Sequence, residues 1–330
     1  MPLERLADLR SLAYMAAAPV LMWWQWVNGP RLWAFLLLCV LGVGLAVVQH
    51  NHTHRRMWRW GWLNAATDLH LSLVQGVPTF VFRPAHIEDH HRHNHGPEDT
   101  TRTYRWGGHH NSLLGYLLHP FFAFCSLLPS LLRHAGGQFR TGRLKPLTQI
   151  VVVLGLWTVL AVQDARAFVL AVLLPQLVAG HWLLGANYLQ HAGCRPGAGP
   201  EAATDGTFQH ARNFTGLMNH VWFNIGYHAA HHHRPGVHWA DLPALHAELR
   251  ERIPNDLVHR SLTRYMLTML LPSRRPWSMH GPTRVDWGMV SGNRPLVGET
   301  GCDSVQTSGL GQYPNKKGQI PAIKSRTEGL

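Results

Sequence analysis

Cysteine is scarce and unpaired in this 330-residue chain: Cys39, Cys125, Cys194 and Cys302 stand singly, with no CxxC pair. That spacing excludes a disulfide framework, a zinc ribbon and a fused rubredoxin-type carrier. A removable leader is not read either, because no small-residue cleavage site clearly follows the short, mixed-charge start Met1–Arg10. Acid is also short: 18 acidic residues against 30 Lys and Arg leave a formal net charge of +12. Nucleic acid is the usual partner of a basic chain. Here the cations sit beside apolar runs, which suits an anionic membrane face or an acidic protein, and no nucleic-acid partner is expected.

Histidine is what the chain has instead, 25 residues of it. In Phe223–His233, a helix would put His228, His231 and His232 on one face, because positions three and four apart stack. Gln49–His54 offers His50 and His54. Arg83–His95 offers His86, His90 and His91 behind Pro84, a residue at home in a first helical turn. Asn187–His191 repeats the four-residue spacing with His191. Neutral imidazole is the commonest biological metal ligand, and nine candidates exceed the four to six positions of one ion. Two metals are the simplest reading. Ligand type alone permits zinc, copper, nickel or iron, and there is no Glu-x-x-His motif of the kind used by soluble carboxylate-bridged bundles. His70, His119, His134 and His181 read as interface or core histidines. His52, His93, His95, His109, His110 and His233 read as supporting, surface or headgroup-contacting ones. Asp89, Asn224, Glu88 and Asp68 lie near enough to orient ligand rings.

Between the histidines run apolar stretches. Residues 11–28 and 31–49 are each long enough to cross the hydrocarbon core as helix, at about 1.5 Å per residue against about 30 Å. Asn28-Gly29-Pro30 turns them into a hairpin, with Trp23, Trp24, Trp26 and Trp33 as an interfacial belt. A second hairpin is predicted from 147–162 and 166–186. Residues 69–82 are too short to span and read as an interfacial or re-entrant helix. Residues 113–132 are long enough, but Pro120 and Pro129 interrupt them. A crossing there would also put the last histidine box on the opposite side from the first two, so this stretch is placed in the interface. Arg55, Arg56 and Arg59, then Arg140, Arg143 and Lys145, mark the box-bearing side as cytoplasmic. The expected fold is therefore an all-α integral membrane protein of four transmembrane helices in two hairpins, with both termini, 1–10 included, and a helical cap on the cytoplasmic side. The membrane and cap domain covers 11–252, with an extension at 253–280. Residues 281–330 lack an apolar period and read as a disordered tail.

The order HxxxH, HxxxHH, HxxHH, interleaved with apolar spans, resembles the membrane-bound fatty acid desaturase and hydroxylase superfamily over roughly residues 30–250. Pro235 to His246 resembles the proline-rich continuation found there in desaturases. Asn187-Tyr188-Leu189-Gln190-His191 resembles the family's extra ligand site, in which a His binds iron and an Asn holds a metal-bound water. His233 lengthens the third box, and the chain has no HPGG haem motif of a fused cytochrome-b5-like segment.

The resemblance implies two iron ions held by His50, His54, His86, His90, His91, His191, His228, His231 and His232. It implies O2 as co-substrate and a membrane lipid or acyl chain as substrate, with desaturation the leading reaction. Hydroxylation or ketolation of an acyl chain, alkane, carotenoid or sterol is the alternative, and a non-catalytic metal-binding membrane protein the alternative of another class. Electrons would come from a separate ferredoxin or cytochrome-b5-type protein. Arg83, Arg92, Arg102 and Arg105 are the candidates for contact with a charged headgroup.

Overall fold

Asn28-Gly29-Pro30 makes the first corner of the structure, a computed structural model that describes residues 2–104, 111–195 and 207–270. Helix α1 (Leu9–Asn28) ends there, Gly29 takes the turn at a φ of 77°, and α2 (Leu32–His54) sets off beside α1. Side-chain size decides how closely they pack. A Cβ at Gly44 would run into the Tyr14 ring of α1. Glycine thus removes the atom that would hold the helices apart. The second span, read as 31–49 and extended by His50 and His54, is one unbroken helix α2 through His54. His50 and His54 therefore leave one face of a single rigid helix.

Helix α3 (Gly61–Gln75) runs back along α2 and stops at Gly76, whose φ of 66° is the left-handed cap that glycine adopts without strain. Gln75 Nε2 donates to Gly42 O at 2.8 Å. Gly42 is twelve residues before His54, about 18 Å along the helix. The chain then climbs again, because Gln49 Nε2 donates to Val77 O at 2.8 Å. Residues 61–79 thus dip along α2 and return.

Three long helices follow: α4 (Leu113–Arg140), α5 (Lys145–Gln163) and α6 (Ala165–His191). Here the expectation of interrupted helix fails. Pro120 and Pro129 lie inside α4 without ending it. A proline removes one hydrogen bond, and 28 residues of otherwise apolar helix with Ser112 as N-cap carry the structure across both gaps. Among the described residues, the helices long and apolar enough to cross a membrane are α2, α4, α5 and α6. The set differs from the expected one: α4 enters it, and α1 drops out because its tryptophans, Gln25 and Asn28 dilute its apolar run. The ends of α4 are nevertheless both tied near histidine-bearing segments. Ser112 N donates to Tyr188 Oη at 3.0 Å, one turn before His191. Beyond Arg140, Lys145 Nζ pairs with the Asp68 carboxylate, which also accepts from Arg56 Nη1 at 2.7 Å, two residues past His54.

The cap is built from residues 207–270 and the N-terminal segment. It is not wholly α: β1 (Asn213–Phe214) and β2 (Val258–His259) pair in parallel. Phe214 and Phe223 are fully buried, and Tyr14 meets Phe223 edge-on at 5.0 Å. Truncating such a core aromatic costs about 3–5 kcal/mol. Asp8 is buried as well and pins the N-terminus to the cap, accepting from Trp239 Nε1 at 2.9 Å and from His238 Nε2 at 3.1 Å. Burial pushes its carboxyl upward, but these donors prevail and hold it below the usual value. The expected extension is described as far as Leu270; the rest of it and the expected tail lie outside the described residues.

Candidate metal centre

The third histidine box is shorter as a helix than its sequence promises. Phe223 and Asn224 have φ of 51° and 59°, so the chain turns tightly before α7 (His228–His233) begins. A Cβ at Gly226 would strike Phe214 O, so only glycine lets the turn sit against β1. From that fixed start, His228, His231 and His232 point inward and are buried.

The second box is a π-helix, Arg83–His90, continued by one α-helical turn, His91–His93. Its i→i+5 bonding is rare and gathers at functional sites. It aligns residues five apart, and His86 Nε2 and His91 Nε2 come to 2.9 Å. An α-helical reading of HxxxHH pairs His86 with His90 instead.

All nine histidines converge, in two sets. His50, His54, His86, His91 and His231 form one; His90, His191, His228 and His232 form the other. Within each set the candidate ligand atoms lie within 4.8 Å of one another. In the first set, His50 Nε2 lies 2.7 Å from His86 Nε2, and His91 Nε2 lies 2.9 Å from His231 Nε2. In the second, His228 Nε2 is 2.9 Å from His191 Nε2 and 3.1 Å from His232 Nε2. Two nitrogens bound at right angles to one ion at about 2.1 Å stand about 3.0 Å apart, so the spacing fits a shared ion. Two neighbours in sequence are divided between the sets twice: His90 from His91, and His231 from His232.

The other ring nitrogens fix the tautomers. His90 Nδ1 donates to Asp99 Oδ2 at 2.7 Å, His232 Nδ1 to Asn94 Oδ1 at 2.9 Å, His50 Nδ1 to Asn51 Oδ1 at 3.1 Å, and His191 Nδ1 to His210 O at 2.6 Å. Each of these bonds turns an Nε2 lone pair toward the cluster, as outer partners of metal-bound imidazoles do. Burial, reinforced by the facing imidazoles, keeps His86, His91, His228, His231 and His232 well below the ordinary histidine value. They are neutral near pH 7, the form that binds metal.

Beside the histidines lies a largely apolar cavity of about 640 Å³. His50, His86, His90 and His228 line one part of it, and Gly76, Trp157 and Gln176 line another. Trp157 Nε1 donates to Gln176 Oε1 at 3.0 Å, and a Cβ on Gly76 would meet both side chains at 2.6 and 2.7 Å. That trio closes tightly.

The family model described as fatty acid desaturase matches residues 10–263. The chain belongs to the fatty acid desaturase family. Comparison with curated proteins gives no match. Membership makes this desaturase-family chain an oxidoreductase and accounts for its membrane-length helices and clustered histidines together.

Of the other residues singled out in the sequence, Asn187 lines the same cavity as the histidines. Asp89 bonds to His93 Nδ1 at 3.1 Å and to Thr100, away from the nine. Asn224 Nδ2 donates to Trp239 O at 3.0 Å and serves the turn before α7. Asn187 lies between His119 and Thr101. Glu88 pairs with Arg83 at 2.8 Å. Arg92 is exposed, Arg102 donates to Pro97 O at 2.7 Å, and Arg105 lies outside the described residues.

Asp99, Asn94, Asn51 and His95 escaped the sequence reading or were given no firm place at the site. Asp99 and His95 are completely buried, and His95 stacks on His191 at 5.0 Å. Burial pushes the Asp99 carboxyl upward, but His90 and the donors on Thr101 win and hold it well below its usual range. Asp99→Asn replaces this charged acceptor with an amide. Metal affinity, measured by chelator competition, is expected to fall 10- to 100-fold; wild-type affinity would show that Asp99 does not support a ligand.

Proposed function

We propose that this chain is an O2-dependent membrane desaturase of acyl chains, with the nine histidines holding two iron ions. The observation that carries the reading is the apolar cavity running up to imidazoles of both sets. Iron bound there would supply, from O2, the oxidant that removes hydrogen from an unactivated C–H bond. The protein's part is placement. The walls from α2, α4 and α6 would hold an alkyl chain away from water, and the trio Gly76, Trp157 and Gln176 would limit how far it reaches. Electrons would come from a separate ferredoxin or cytochrome-b5-type donor.

The test is expression in a host lacking this activity, followed by analysis of its lipids. New double bonds that vanish with His228→Ala are the expected result. New hydroxyl groups in place of double bonds would make the enzyme a hydroxylase, and no oxidised lipid of either kind would overturn the assignment.

The reading also needs all the histidines at one membrane face. We place α1 and α2 as one hairpin and α5 and α6 as another, with α4 in the plane of the cytoplasmic interface. The tethers at both ends of α4 support this, since Ser112 meets Tyr188 near His191 and Lys145 meets Asp68 near His54. In a background without the native cysteines, single cysteines replacing the exposed Arg59, Arg92, Arg140 and Arg234 are expected to react with a membrane-impermeant reagent only from the cytoplasmic side. Cysteines at Asn28 and Ala165 should react from the other side. Opposite labelling at Arg92 and Arg140 would mean that α4 crosses, and the in-plane arrangement would be abandoned.

A further inference from the structure

His119 is buried on α4, immediately before Pro120 of the cavity wall. Its Nε2 lies 3.1 Å from Asn187 Oδ1. Asn187 Nδ2 lies 3.4 Å from Thr101 Oγ1, and Thr101 Oγ1 lies 2.7 Å from Asp99 Oδ1 and 3.2 Å from His90 Nδ1 itself. Asp99 Oδ2 takes the bond from His90 Nδ1 at 2.7 Å.

The direction of every bond in this chain follows from the one carboxylate in it. An ionised Asp99 can only accept, so it takes the single proton of the Thr101 hydroxyl and the Nδ1 proton of His90. Thr101 then has only lone pairs to offer Asn187, which must present its NH2. The other end of that amide is an oxygen, so His119 must donate to it from Nε2. Reversing the amide would set its oxygen against a hydroxyl oxygen with no proton left to share.

We infer that His119 is a positioning residue that fixes the ring of His90 through Asn187 and Thr101, which meets His90 Nδ1 both directly and by way of Asp99. The inference rests on reading the nine histidines as a metal centre. It ties a ligand of the second set to α4, the helix that also contributes Phe124, Leu127 and Leu131 to the cavity wall.

The test uses full-length protein purified in detergent and loaded with Co(II), whose visible absorption reports ligand geometry without turnover. In His119→Leu, the cobalt spectrum changes and affinity by chelator competition falls about tenfold, the lower end of what outer partners of metal ligands contribute. His119→Gln keeps a donor for Asn187 Oδ1 and restores both. Thr101→Val breaks the same chain from its other end and reproduces the altered spectrum. The double variant His119→Leu/Thr101→Val goes no further than either single one, because residues in one network do not act additively. A wild-type spectrum and affinity in His119→Leu overturns the inference. If His119→Leu fails to fold, an unaltered spectrum in Thr101→Val, or no difference between His119→Gln and the altered Thr101→Val, overturns it equally. Wild-type protein that takes up no metal fails in another way: it overturns the metal-centre reading itself.

Discussion

His228→Ala is expected to remove one of the two iron ions proposed for the histidine sets and to lower lipid oxidation at least a hundredfold. His54→Ala should keep more metal. The asymmetry comes from the make-up of the two sets. His54 belongs to the group of five, which retains four imidazoles without it, whereas His228 belongs to the group of four, which drops to three. Loss of a ligand should exceed the 10- to 100-fold seen when an outer partner is lost. Elemental analysis of anaerobically purified protein measures this, with about two iron atoms per chain in the wild type. Equal iron loss in the two variants would refute the division into sets. One zinc per chain with full activity would refute the iron assignment.

Gly180→Phe is expected to leave metal content unchanged and to reduce products from long acyl chains at least tenfold, with shorter chains affected less. Gly180 lines the cavity, and a Cβ there meets no atom within 4 Å, so a larger side chain can enter without displacing its neighbours. It lies inside α6, where replacing glycine by phenylalanine also improves helix propensity by roughly 0.5 kcal/mol. The variant should therefore fold. Product chain lengths from a mixed acyl pool give the readout, and an unchanged distribution would mean that the substrate does not occupy this cavity.

The histidines were legible because spacing along a helix is a local property. His50 and His54 needed only the continuation of an apolar helix, and His191 only its distance from Asn187. The pairing of His86 with His91 was not legible, since a π-helix obeys a period that hydrophobic patterning does not reveal. Asp99 was hidden for a different reason. It reaches His90 from an irregular polar loop, and nothing in loop composition distinguishes the one buried carboxylate from solvated ones such as Glu98. Asn224 misled because its neighbourhood was read as helix, and the positive φ at Phe223 and Asn224 only emerges once Gly226 packs on Phe214. For α4, the prolines argued for a break, and the length of the apolar run outweighed them.

Two peptide units bridge the two halves of the centre, His90–His91 and His231–His232, each handing one imidazole to either side. Consecutive Cα atoms are about 3.8 Å apart whatever the surroundings do. Bending or sliding of the long helices therefore carries both halves together, as two beads on one wire. The separation between them is gauged by covalent bonds, the stiffest ruler the chain possesses.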